Sequence, residues 1–426
     1  MNYMSLAAEQ EGYVISLRRH FHRHPELTGR EENTVALICE ELEKSHISHV
    51  CVPNGGVIGF IGDNKNGRSV LLRADIDGLP IQESPQNGGG MPKAVVSSVD
   101  RISHACGHDC HTAILLGAAR ALKGIEHQLN GRVILMFERG EEGGGNLGYL
   151  IKWIFDHQLR IDSCFALHVV ANVPSGKIVI SQGYQLAGSL VFTVRLHGKS
   201  AHGAQPFIGR STIDCFCTIY GMLQEFRMKY ASPYAPMVFS VGQVHAGHSY
   251  NSIPDHLEFQ GSFRIFDFED GLRIKEHLTS VVETIPKLYG CTAELIIGGP
   301  SPSVVNDRSC AEMARQVFSG FTDQTILYDL PPQMNSDSFS LTSSTWPGVY
   351  MLLGTQNKAK GMVALNHTPC FDPDESTFRL GTACHIAYAA EFLDHGPDTS
   401  SRIFSGTMEE LFLKYRPEVL DTLREN

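Results

Sequence analysis

The sequence lacks the features that mark a membrane-spanning or a nucleic-acid-binding protein. No apolar run approaches the roughly 18 residues that a membrane-spanning helix requires. Basic residues are not in excess, since 35 Lys and Arg stand against 46 Asp and Glu, for a formal net charge of −11. Nucleic acids and anionic membrane surfaces are bound by basic patches, so we expect neither as a partner.

The sequence also lacks CxxC pairs and a basic-then-apolar leader. Its eleven cysteines are an odd number scattered along the chain, which does not fit a disulfide framework. The first residues, MNYMSLAAEQEGYVISLRR, contain no signal-peptide pattern. We therefore expect a cytoplasmic protein from a reducing compartment. In that environment most of its cysteines, Cys106 excepted, serve as small core hydrophobes.

The chain does contain the pattern of an α/β domain. Its 426 residues, 42% of them hydrophobic, are enough for two domains. Short apolar runs bounded by Gly, Asn and Pro alternate with helical segments, which is typical of a sheet whose strands are buried on both faces. The strands predicted in this way are 57–61, 69–73, 132–137, 163–167 and 348–353. The predicted helices are 4–22, 31–44, 112–124, 310–319 and 378–393.

A different pattern begins near residue 187 and ends near residue 297. Alternating strands and two helices follow one another in βαββαβ order, which predicts an antiparallel sheet covered by helices on one face. We therefore expect an α/β catalytic domain in two parts, an inserted α+β domain and a C-terminal helical extension interrupted at Pro417. The predicted bounds are 1–186 and 298–395 for the two parts, 187–297 for the insertion and 396–426 for the extension.

Residues 103–111, SHACGHDCH, concentrate metal-ligand side chains just before a predicted helix. They hold three His, two Cys and one Asp. In an extended loop, residues two apart point the same way, so Cys106 and His108 could bind one ion between them. The alternative is a helix N-terminus capped by Asp109, with two ordinary buried cysteines.

Acidic or imidazole residues follow three of the predicted strands. They are Asp75 and Asp77, then Glu138, Glu141 and Glu142, then His168. In open α/β sheets, sites form beyond the carboxyl ends of the strands, because the loops there converge on one crevice. Together with the Cys/His segment, these groups predict a metal site at that edge of the sheet.

Several motifs together resemble a known family. They are RRHFHRHPELTGREENT at 18–34, LRADIDGLPIQE at 72–83, HACGHDCHTA at 104–113, GEEGGG at 140–145, LHV at 167–169 and NHTPCFDPDE at 366–375. In this order they resemble the amidohydrolase branch of the aminoacylase/carboxypeptidase-like metallopeptidases, which includes hippurate hydrolases, N-acyl-amino-acid amidohydrolases and plant indole-acetyl-amino-acid hydrolases. The resemblance implies a two-domain α/β metallopeptidase-like fold, with a mixed-sheet catalytic domain, helices on both faces and an inserted α+β lid domain.

The resemblance also implies a site for two divalent metal ions, zinc or manganese. The matching ligand positions are Cys106, His108, Glu142, His168 and His367. A thiolate, three imidazoles and a carboxylate suit such ions. The resemblance makes Glu141 the general base and Asp77 the group that steadies a ligand or water. The alternative for Glu141 is a hydrogen-bond acceptor beside the ligands, while Asp75 and Asp109 are expected to be structural caps or supports.

The inserted domain carries a signature of its own. GKSAHGAQP at 198–206 resembles the family motif in which His202 contacts the reacting carbonyl oxygen, in such enzymes often only across a dimer or on lid closure. YNSIPDH at 250–256 and GSFR at 261–264 resemble segments that bind the free carboxylate of the substrate. Asn251 and Arg264 suit that role, since a guanidinium pairs well with a carboxylate. The alternatives are a solvated loop histidine and ordinary strand-edge polar residues.

Three departures from the family pattern touch this region. Arg139-Gly140 stands where Pro-Ala is common, Ser338 stands where Asp is common in a Glu-Asp-Phe motif, and Ser103 stands where Met is common. None of them removes a ligand. We expect them to affect substrate preference more than the chemistry.

These features predict a metal-dependent hydrolase that cleaves the amide bond of N-acyl amino acids or related small amide conjugates. Its reaction would use a metal-activated water with Glu141 as the base. A homodimer through the inserted domain is expected, because an edge strand there can pair with a second copy. The alternatives are a dipeptidase or aminopeptidase, a catalytically silent metal-containing protein that binds a small acid, and a structural-zinc protein built on Cys106 and Cys110. The last lacks the second local ligand pair of closed zinc sites.

Overall fold

The structure, a computed structural model, describes residues 1–63, 67–143, 145–322 and 325–425. The helices are α1 Tyr3–Ala8, α2 Glu11–Arg23, α3 Glu32–Lys44, α4 His108–Gly124, α5 Leu147–Asp156, α6 Thr212–Gln224, α7 Phe226–Lys229, α8 Phe268–Leu288, α9 Arg308–Ser319, α10 Phe339–Thr345, α11 Phe378–His395, α12 Met408–Tyr415 and α13 Leu420–Glu425. The strands are β1 Ser48–Val52, β2 Gly56–Gly62, β3 Arg68–Asp75, β4 Gly131–Glu138, β5 Ser163–Pro174, β6 Ile178–Val179, β7 Tyr184–Leu186, β8 Gly188–His197, β9 Ala201–His202, β10 Met237–Ala246, β11 Ser252–Ile253, β12 His256–Ile265, β13 Thr292–Ile297, β14 Val304–Val305 and β15 Gly348–Gln356. Within these ranges, no helix has the length and apolar character needed to cross a membrane.

The chain divides into two compact units. Unit 1 comprises Met1–Gln185, Val305–Pro331 and Thr342–Met408. Unit 2 comprises Leu186–Val304, Pro332–Leu341 and Glu409–Asn426.

Unit 1 is built on a seven-stranded mixed sheet in the order β1-β2-β4-β3-β5-β15-β6. The four central strands β4, β3, β5 and β15 are parallel, and the outer pairings are antiparallel. Strands β3, β4 and β15 are buried along nearly their whole length. This explains why their sequences are continuous apolar runs, because helices cover both faces of a parallel sheet. The predicted α/β class with a mixed sheet is confirmed.

Helices α4 and α11 form the centre of the unit 1 core. Each buries fourteen residues, and both are rich in Ala, Gly and Leu, which lets neighbouring helices and strands approach closely. The prediction began α4 at Thr112, but the helix begins at His108. The polar first turn hid this start, since its His and Asp side chains break the apolar periodicity that marks a helix in sequence.

Unit 2 contains a four-stranded antiparallel sheet in the order β10-β12-β8-β13. Burial alternates along β8 and β12, and the buried side chains pack against α6 and α8 in a separate core. The predicted βαββαβ sequence of elements is confirmed here. Period-two alternation identified these strands because one face of the sheet is covered and the other is not.

Two segments fall outside the predicted bounds of the inserted domain. Pro332–Leu341 belongs to unit 2, where the Ser336 hydroxyl accepts a hydrogen bond from a β12 side chain. Glu409–Asn426 also belongs to unit 2, and Glu418 accepts a hydrogen bond from the Gly299 backbone. The sequence assigned the first segment to the catalytic domain and the second to a separate extension. Contacts between residues far apart in the chain decide both assignments.

Candidate metal centre

The carboxyl ends of β3, β4 and β5 bring the chemistry-bearing residues of unit 1 together. Asp75 at the end of β3 pairs in register with Glu138 at the end of β4. Arg73 pairs with Ala166 of β5, which places His168, two residues farther on, level with Asp75. His168 lies within β5 rather than beyond it, because β5 extends to Pro174. Convergence of these side chains follows from the parallel arrangement of the strands.

The Cys106–His108 segment is a tight turn and not the extended loop that the sequence predicted. Gly107 has a φ of 95° and is the N-cap of α4. A Cβ at this position would also lie 2.3 Å from Val169 Cγ2. Glycine is therefore required at position 107 for two reasons: the positive φ, and the close approach of the Val169 side chain. The turn presents the Cys106 thiol and the first helical residue, His108, to the same side.

All five predicted ligands lie in one cluster. Cys106 Sγ is 3.4 Å from His168 Nε2 and 3.2 Å from His367 Nε2. Glu142 Oε1 is 3.2 Å from His367 Nε2 and 3.9 Å from His108 Nε2. Two three-residue groups, Cys106/His108/His168 and Cys106/Glu142/His367, each place their donor atoms within 4.8 Å of one another. Cys106 belongs to both groups.

The imidazoles of the predicted ligands His108 and His168 are oriented by hydrogen bonds on Nδ1. His108 Nδ1 lies 2.9 Å from Asp77 Oδ1, and His168 Nδ1 lies 2.8 Å from the Val169 carbonyl oxygen. A carbonyl oxygen can only accept, so His168 carries its proton on Nδ1. With Asp77 ionised, His108 does the same. Both rings therefore turn the lone pair of Nε2 towards the cluster, the arrangement that metal-binding histidines show.

Asp77 is buried and joins three segments around the ligands. Besides His108, it accepts hydrogen bonds from the Thr28 hydroxyl at 2.6 Å and from the Glu142 backbone N–H at 3.0 Å. Burial by itself would raise the pKa of Asp77, but the hydrogen bond from His108, with those from Thr28 and the Glu142 backbone, lowers it below its usual value. Asp77 thus remains a carboxylate that orients one ligand side chain and the backbone of another.

The donor set fits divalent metal ions by its own chemistry. His108 Nε2 and Glu142 Oε1 are buried and make no hydrogen bond to any residue that the structure describes. Burial also raises the pKa of the Cys106 thiol well above its ordinary value. A thiolate at this depth needs a cation beside it, because an unpaired buried charge is costly. Buried ligand atoms that make no hydrogen bond, beside a thiol that needs a cation, are typical of a site for divalent metal ions.

Asp75 and His111 form a neighbouring group whose polar atoms are already engaged. Asp75 accepts hydrogen bonds from His111 Nδ1 and Arg73 Nη1, and His111 Nε2 accepts from the Val169 N–H. Burial would raise the pKa of Asp75, but the charge of Arg73, together with the hydrogen bond from His111, holds it well below its ordinary value. These hydrogen bonds favour the structural role predicted for Asp75 over that of a metal ligand.

Asp109 does not cap α4, since Gly107 is the N-cap. Its carboxylate instead lies 2.8 Å from Arg18 Nε and 2.8 Å from His22 Nδ1, all of them buried. Burial would raise the pKa of Asp109, but Arg18 and His22 lower it far below its ordinary value. This ion pair ties α2 to the first turn of α4, directly behind ligand His108. Asp109 is therefore a support, as expected, although not a cap.

The loop that carries Glu141 and Glu142 is held by α3. The buried Glu31 carboxylate accepts hydrogen bonds from the Gly140 N–H at 2.9 Å and from Arg139 Nε at 2.8 Å. Glu32 binds the same guanidinium at 2.8 Å. Arg139, a departure from the family pattern, thus has its charge neutralised by two carboxylates. No sequence pattern pointed to this role of Glu31, because Arg139 and Gly140 lie more than 100 residues away.

Glu141 lies beside the cluster. One of its carboxylate oxygens lies within 4.8 Å of donor atoms of His108 and Glu142. Its side chain is half-buried. A carboxylate in this position can hold or move a proton next to groups bound at the cluster.

His367 lies in a loop with a strained backbone and reaches the cluster from there. Its φ is 62°, a left-handed conformation that is uncommon for a residue with a side chain. The preceding Asn366 fixes the loop by donating from Nδ2 to the carbonyl oxygens of Cys106 and Val169. Backbone strain that is held by such hydrogen bonds is concentrated at functional sites.

The remaining predicted residues, His202, Asn251 and Arg264, lie in unit 2. His202 is exposed on β9, and its Nδ1 accepts a hydrogen bond from the Ala204 N–H at 3.1 Å. Asn251 is exposed, and its Oδ1 accepts from the Ser249 hydroxyl at 2.6 Å.

Arg264 on β12 is half-buried, with Nη1 donating to the Ser336 hydroxyl at 2.6 Å. Burial lowers its pKa. No acidic side chain that the structure describes forms an ion pair with it. A half-buried guanidinium without a carboxylate partner is suited to bind an anion.

Known proteins resemble this chain along most of its length. The family model for peptidase family M20/M25/M40 matches residues 71–391. Thermostable carboxypeptidase 1 of Saccharolobus solfataricus is 31% identical over 90% of this chain and 96% of its own length. IAA-amino acid hydrolase ILR1-like 2 of Arabidopsis thaliana is 32% identical over 94% and 89%. N-acetyl-L-cysteine deacetylase of Bacillus subtilis is 32% identical over 91% and 90%.

A solved structure shares the fold. The crystal structure of the Bacillus subtilis YXEP protein, described as a dinuclear metal-binding peptidase of the M20 family, has a TM-score of 0.73 and 29% sequence identity. The similarity covers 91% of this chain and 99% of that one. The two-domain architecture expected from the sequence motifs is therefore confirmed as a fold.

The geometry predicts which cysteine binds metal. Cys106→Ser removes the thiol shared by both ligand groups, so we expect the divalent metal retained per chain after dialysis to fall by at least half, measured by elemental analysis. The matched control is Cys110→Ser, because Cys110 is also buried and lies four residues away but belongs to no ligand group among the described residues. Equal metal loss in both variants, or none in Cys106→Ser, would contradict the assignment.

Proposed function

The chain belongs to peptidase family M20/M25/M40 and is a metal-dependent hydrolase, and we propose that it cleaves the amide bond of N-acyl amino acids or related small amide conjugates. The observation that carries this proposal is the single cluster of Cys106, His108, Glu142, His168 and His367 with Glu141 beside it. The proposed substrate class is supported by the relatives, which include an N-acetyl-L-cysteine deacetylase and an IAA-amino acid hydrolase.

We propose that the cluster holds two divalent ions, zinc or manganese, with Cys106 as a ligand common to both groups. The dinuclear relative supports the number of ions, and the mixture of thiolate, imidazole and carboxylate donors supports the choice of metals. When bound, such ions polarise a substrate carbonyl and lower the pKa of water.

We also propose a cytoplasmic location. The free cysteines, of which seven are buried, support it.

In the proposed reaction Glu141 moves the proton. Its carboxylate accepts a proton from water as the water oxygen attacks the amide carbon, and it then donates that proton to the leaving nitrogen. The neighbouring Glu142 cannot do the same, because its backbone is fixed by Asp77 and its Oε1 is directed at the ligand imidazoles. Two adjacent carboxylates thus take different roles because different partners hold them.

His202 is the proposed donor to the developing oxyanion. Since the Ala204 N–H donates to Nδ1, the neutral ring carries its proton on Nε2, the atom farther from the backbone. That N–H is available to donate to a carbonyl oxygen as its negative charge grows. The tautomer therefore supports a donor role and not that of a base.

Arg264 and Asn251 are proposed to bind the free carboxylate of the amino acid. The lack of an acidic partner for Arg264 among the described residues supports this role, because a half-buried cation is stabilised when a carboxylate joins it. A substrate bound in this way ends in a free carboxylate, as an N-acyl amino acid does.

A loss-of-base variant tests the role of Glu141. In Glu141→Gln we expect kcat to fall by about 10²- to 10⁴-fold, with unchanged metal content and thermal stability, because only the proton transfer is removed. The matched comparison is Glu142→Gln, which should lose metal as well as activity. Nearly full turnover in Glu141→Gln would refute the assignment, and it would leave open the alternative of an acceptor beside the ligands.

A substrate panel tests the proposed specificity. Hippurate and N-acetyl amino acids should give a higher kcat/KM than unblocked dipeptides in the presence of Zn²⁺ or Mn²⁺. Arg264→Met should raise KM by about 10- to 100-fold for these acids and leave carboxamide analogues unaffected, since a charge-assisted hydrogen bond is lost. The control is Arg195→Met on the same sheet, where the guanidinium already pairs with Glu258 at 2.7 Å. Preference for dipeptides would favour the peptidase alternative, and no turnover at all would favour a binding protein.

We also propose a homodimer through unit 2. Among the described residues, strand β10 lies at one edge of its sheet, where a second copy could pair with it, and Ile213, Tyr220 and Met222 are exposed on α6. Light scattering should therefore give twice the chain mass of 46.9 kDa. A monomer mass across micromolar concentrations would exclude this assembly.

A further inference from the structure

Two cysteines on the surface of unit 1 lie next to each other. Cys39 is half-buried on α3, and Cys51 is exposed on β1. Their Sγ atoms are 2.8 Å apart, and both are free thiols. A disulfide has an S–S distance of about 2.0 Å, so roughly 0.8 Å of approach separates this pair from a covalent bond. The metal centre does not use either residue.

The two cysteines also connect elements that support one loop. Helix α3 begins directly after Glu31, which binds Arg139 and the Gly140 N–H. Strand β1 leads into the turn whose Gly55 carbonyl oxygen accepts a hydrogen bond from the Arg139 N–H at 3.0 Å. In the same turn, the Asn54 carbonyl oxygen accepts from the Asn146 side chain at 2.7 Å. Both elements therefore hold the segment that leads to Glu141 and Glu142.

We propose that Cys39 and Cys51 form a reversible disulfide, made by exchange with a low-molecular-weight disulfide, that fastens α3 to β1. The site is a covalent modification site of the fold. It is independent of the hydrolytic reaction, because no ligand or proton-transfer group takes part.

The exchange proceeds in two balanced steps. The exposed Cys51 thiolate attacks one sulfur of the small disulfide, and the other sulfur leaves as a thiolate. Cys39 then loses its proton to solvent and attacks the Cys51 sulfur of the mixed disulfide, which releases the second small thiolate. Two protein thiols are oxidised and one small disulfide is reduced to two thiols.

The exposure of Cys51 and the raised pKa of Cys39 determine the order of these steps. Burial, followed by the hydrogen bond with Cys51, raises the pKa of Cys39 to about 12. Cys39 therefore keeps its proton at neutral pH and is a poor first nucleophile, while Cys51 is open to solvent. Once Cys51 is in the mixed disulfide, its sulfur lies directly beside Cys39, and the reaction becomes intramolecular.

Peptide mapping tests the bond directly. The full-length protein is incubated with excess oxidised glutathione at neutral pH, alkylated and digested with trypsin without reduction. Cleavage after Arg30, Lys44 and Lys65 places Cys39 in peptide 31–44 and Cys51 in peptide 45–65. We expect the cross-linked pair of peptides to become the main form of both, and dithiothreitol to restore the separate peptides.

Matched variants separate this proposal from general thiol oxidation. Cys39→Ser should trap a glutathione mixed disulfide on Cys51, and Cys51→Ser should leave Cys39 unmodified. Cys217 is the internal control, since it is the other exposed cysteine and has no thiol neighbour among the described residues. Free thiols at both positions, or a stable mixed disulfide at Cys51 in the unmodified chain, would overturn the proposal.

Thermal unfolding tests the fastening of α3 to β1. The cross-linked form should unfold roughly 2–5 °C above the reduced form, because the bond constrains the unfolded chain. The variant with both cysteines changed to Ser should show no difference between oxidising and reducing conditions. A cross-linked protein with unchanged unfolding temperature would contradict the fastening.

Discussion

The candidate metal centre depends on the buried carboxylate of Asp77. One oxygen of Asp77 accepts the Nδ1 proton of His108, and the other accepts hydrogen bonds from Thr28 and from the Glu142 backbone. A single charge thus fixes the direction of the His108 imidazole and the backbone position of Glu142, which belongs to another loop. Without this carboxylate, no hydrogen-bond acceptor would be shared by His108 and Glu142, which are more than 30 residues apart. The charge is stable in the interior because each of its oxygens is hydrogen-bonded.

The same principle extends to the groups around the cluster. Asp109 joins α2 to the first turn of α4 through Arg18 and His22, and Glu31 joins α3 to the Arg139–Gly140 backbone. Each buried carboxylate is compensated by a guanidinium or an imidazole, which is the condition under which buried charges are tolerated. The predicted metal ligands are therefore supported by surrounding ion pairs and not by apolar packing alone.

Much of this architecture could be predicted from the sequence, and the omissions have physical reasons. Parallel strands β3, β4 and β15 were recognisable because burial on both faces demands continuous apolar residues. Strand β1 was not predicted because most of its residues are exposed. A strand at the edge of a sheet is paired on one side only and needs few apolar residues. The ligand positions were predicted from motif order, yet the turn at Gly107 was not, since a φ of 95° leaves no signature beyond the glycine itself.

By itself the sequence determined the residue chemistry, the class of the sheet and the order of the elements, because these depend on local periodicity and on which donors are present. Only the tertiary structure decided that Cys106 and His367, 261 residues apart, lie 3.2 Å from each other. It also decided the partners of Arg139 and the proximity of Cys39 and Cys51, which no local pattern encodes. Such contacts are set by how strands and helices pack, and packing is a property of the whole chain rather than of any one segment.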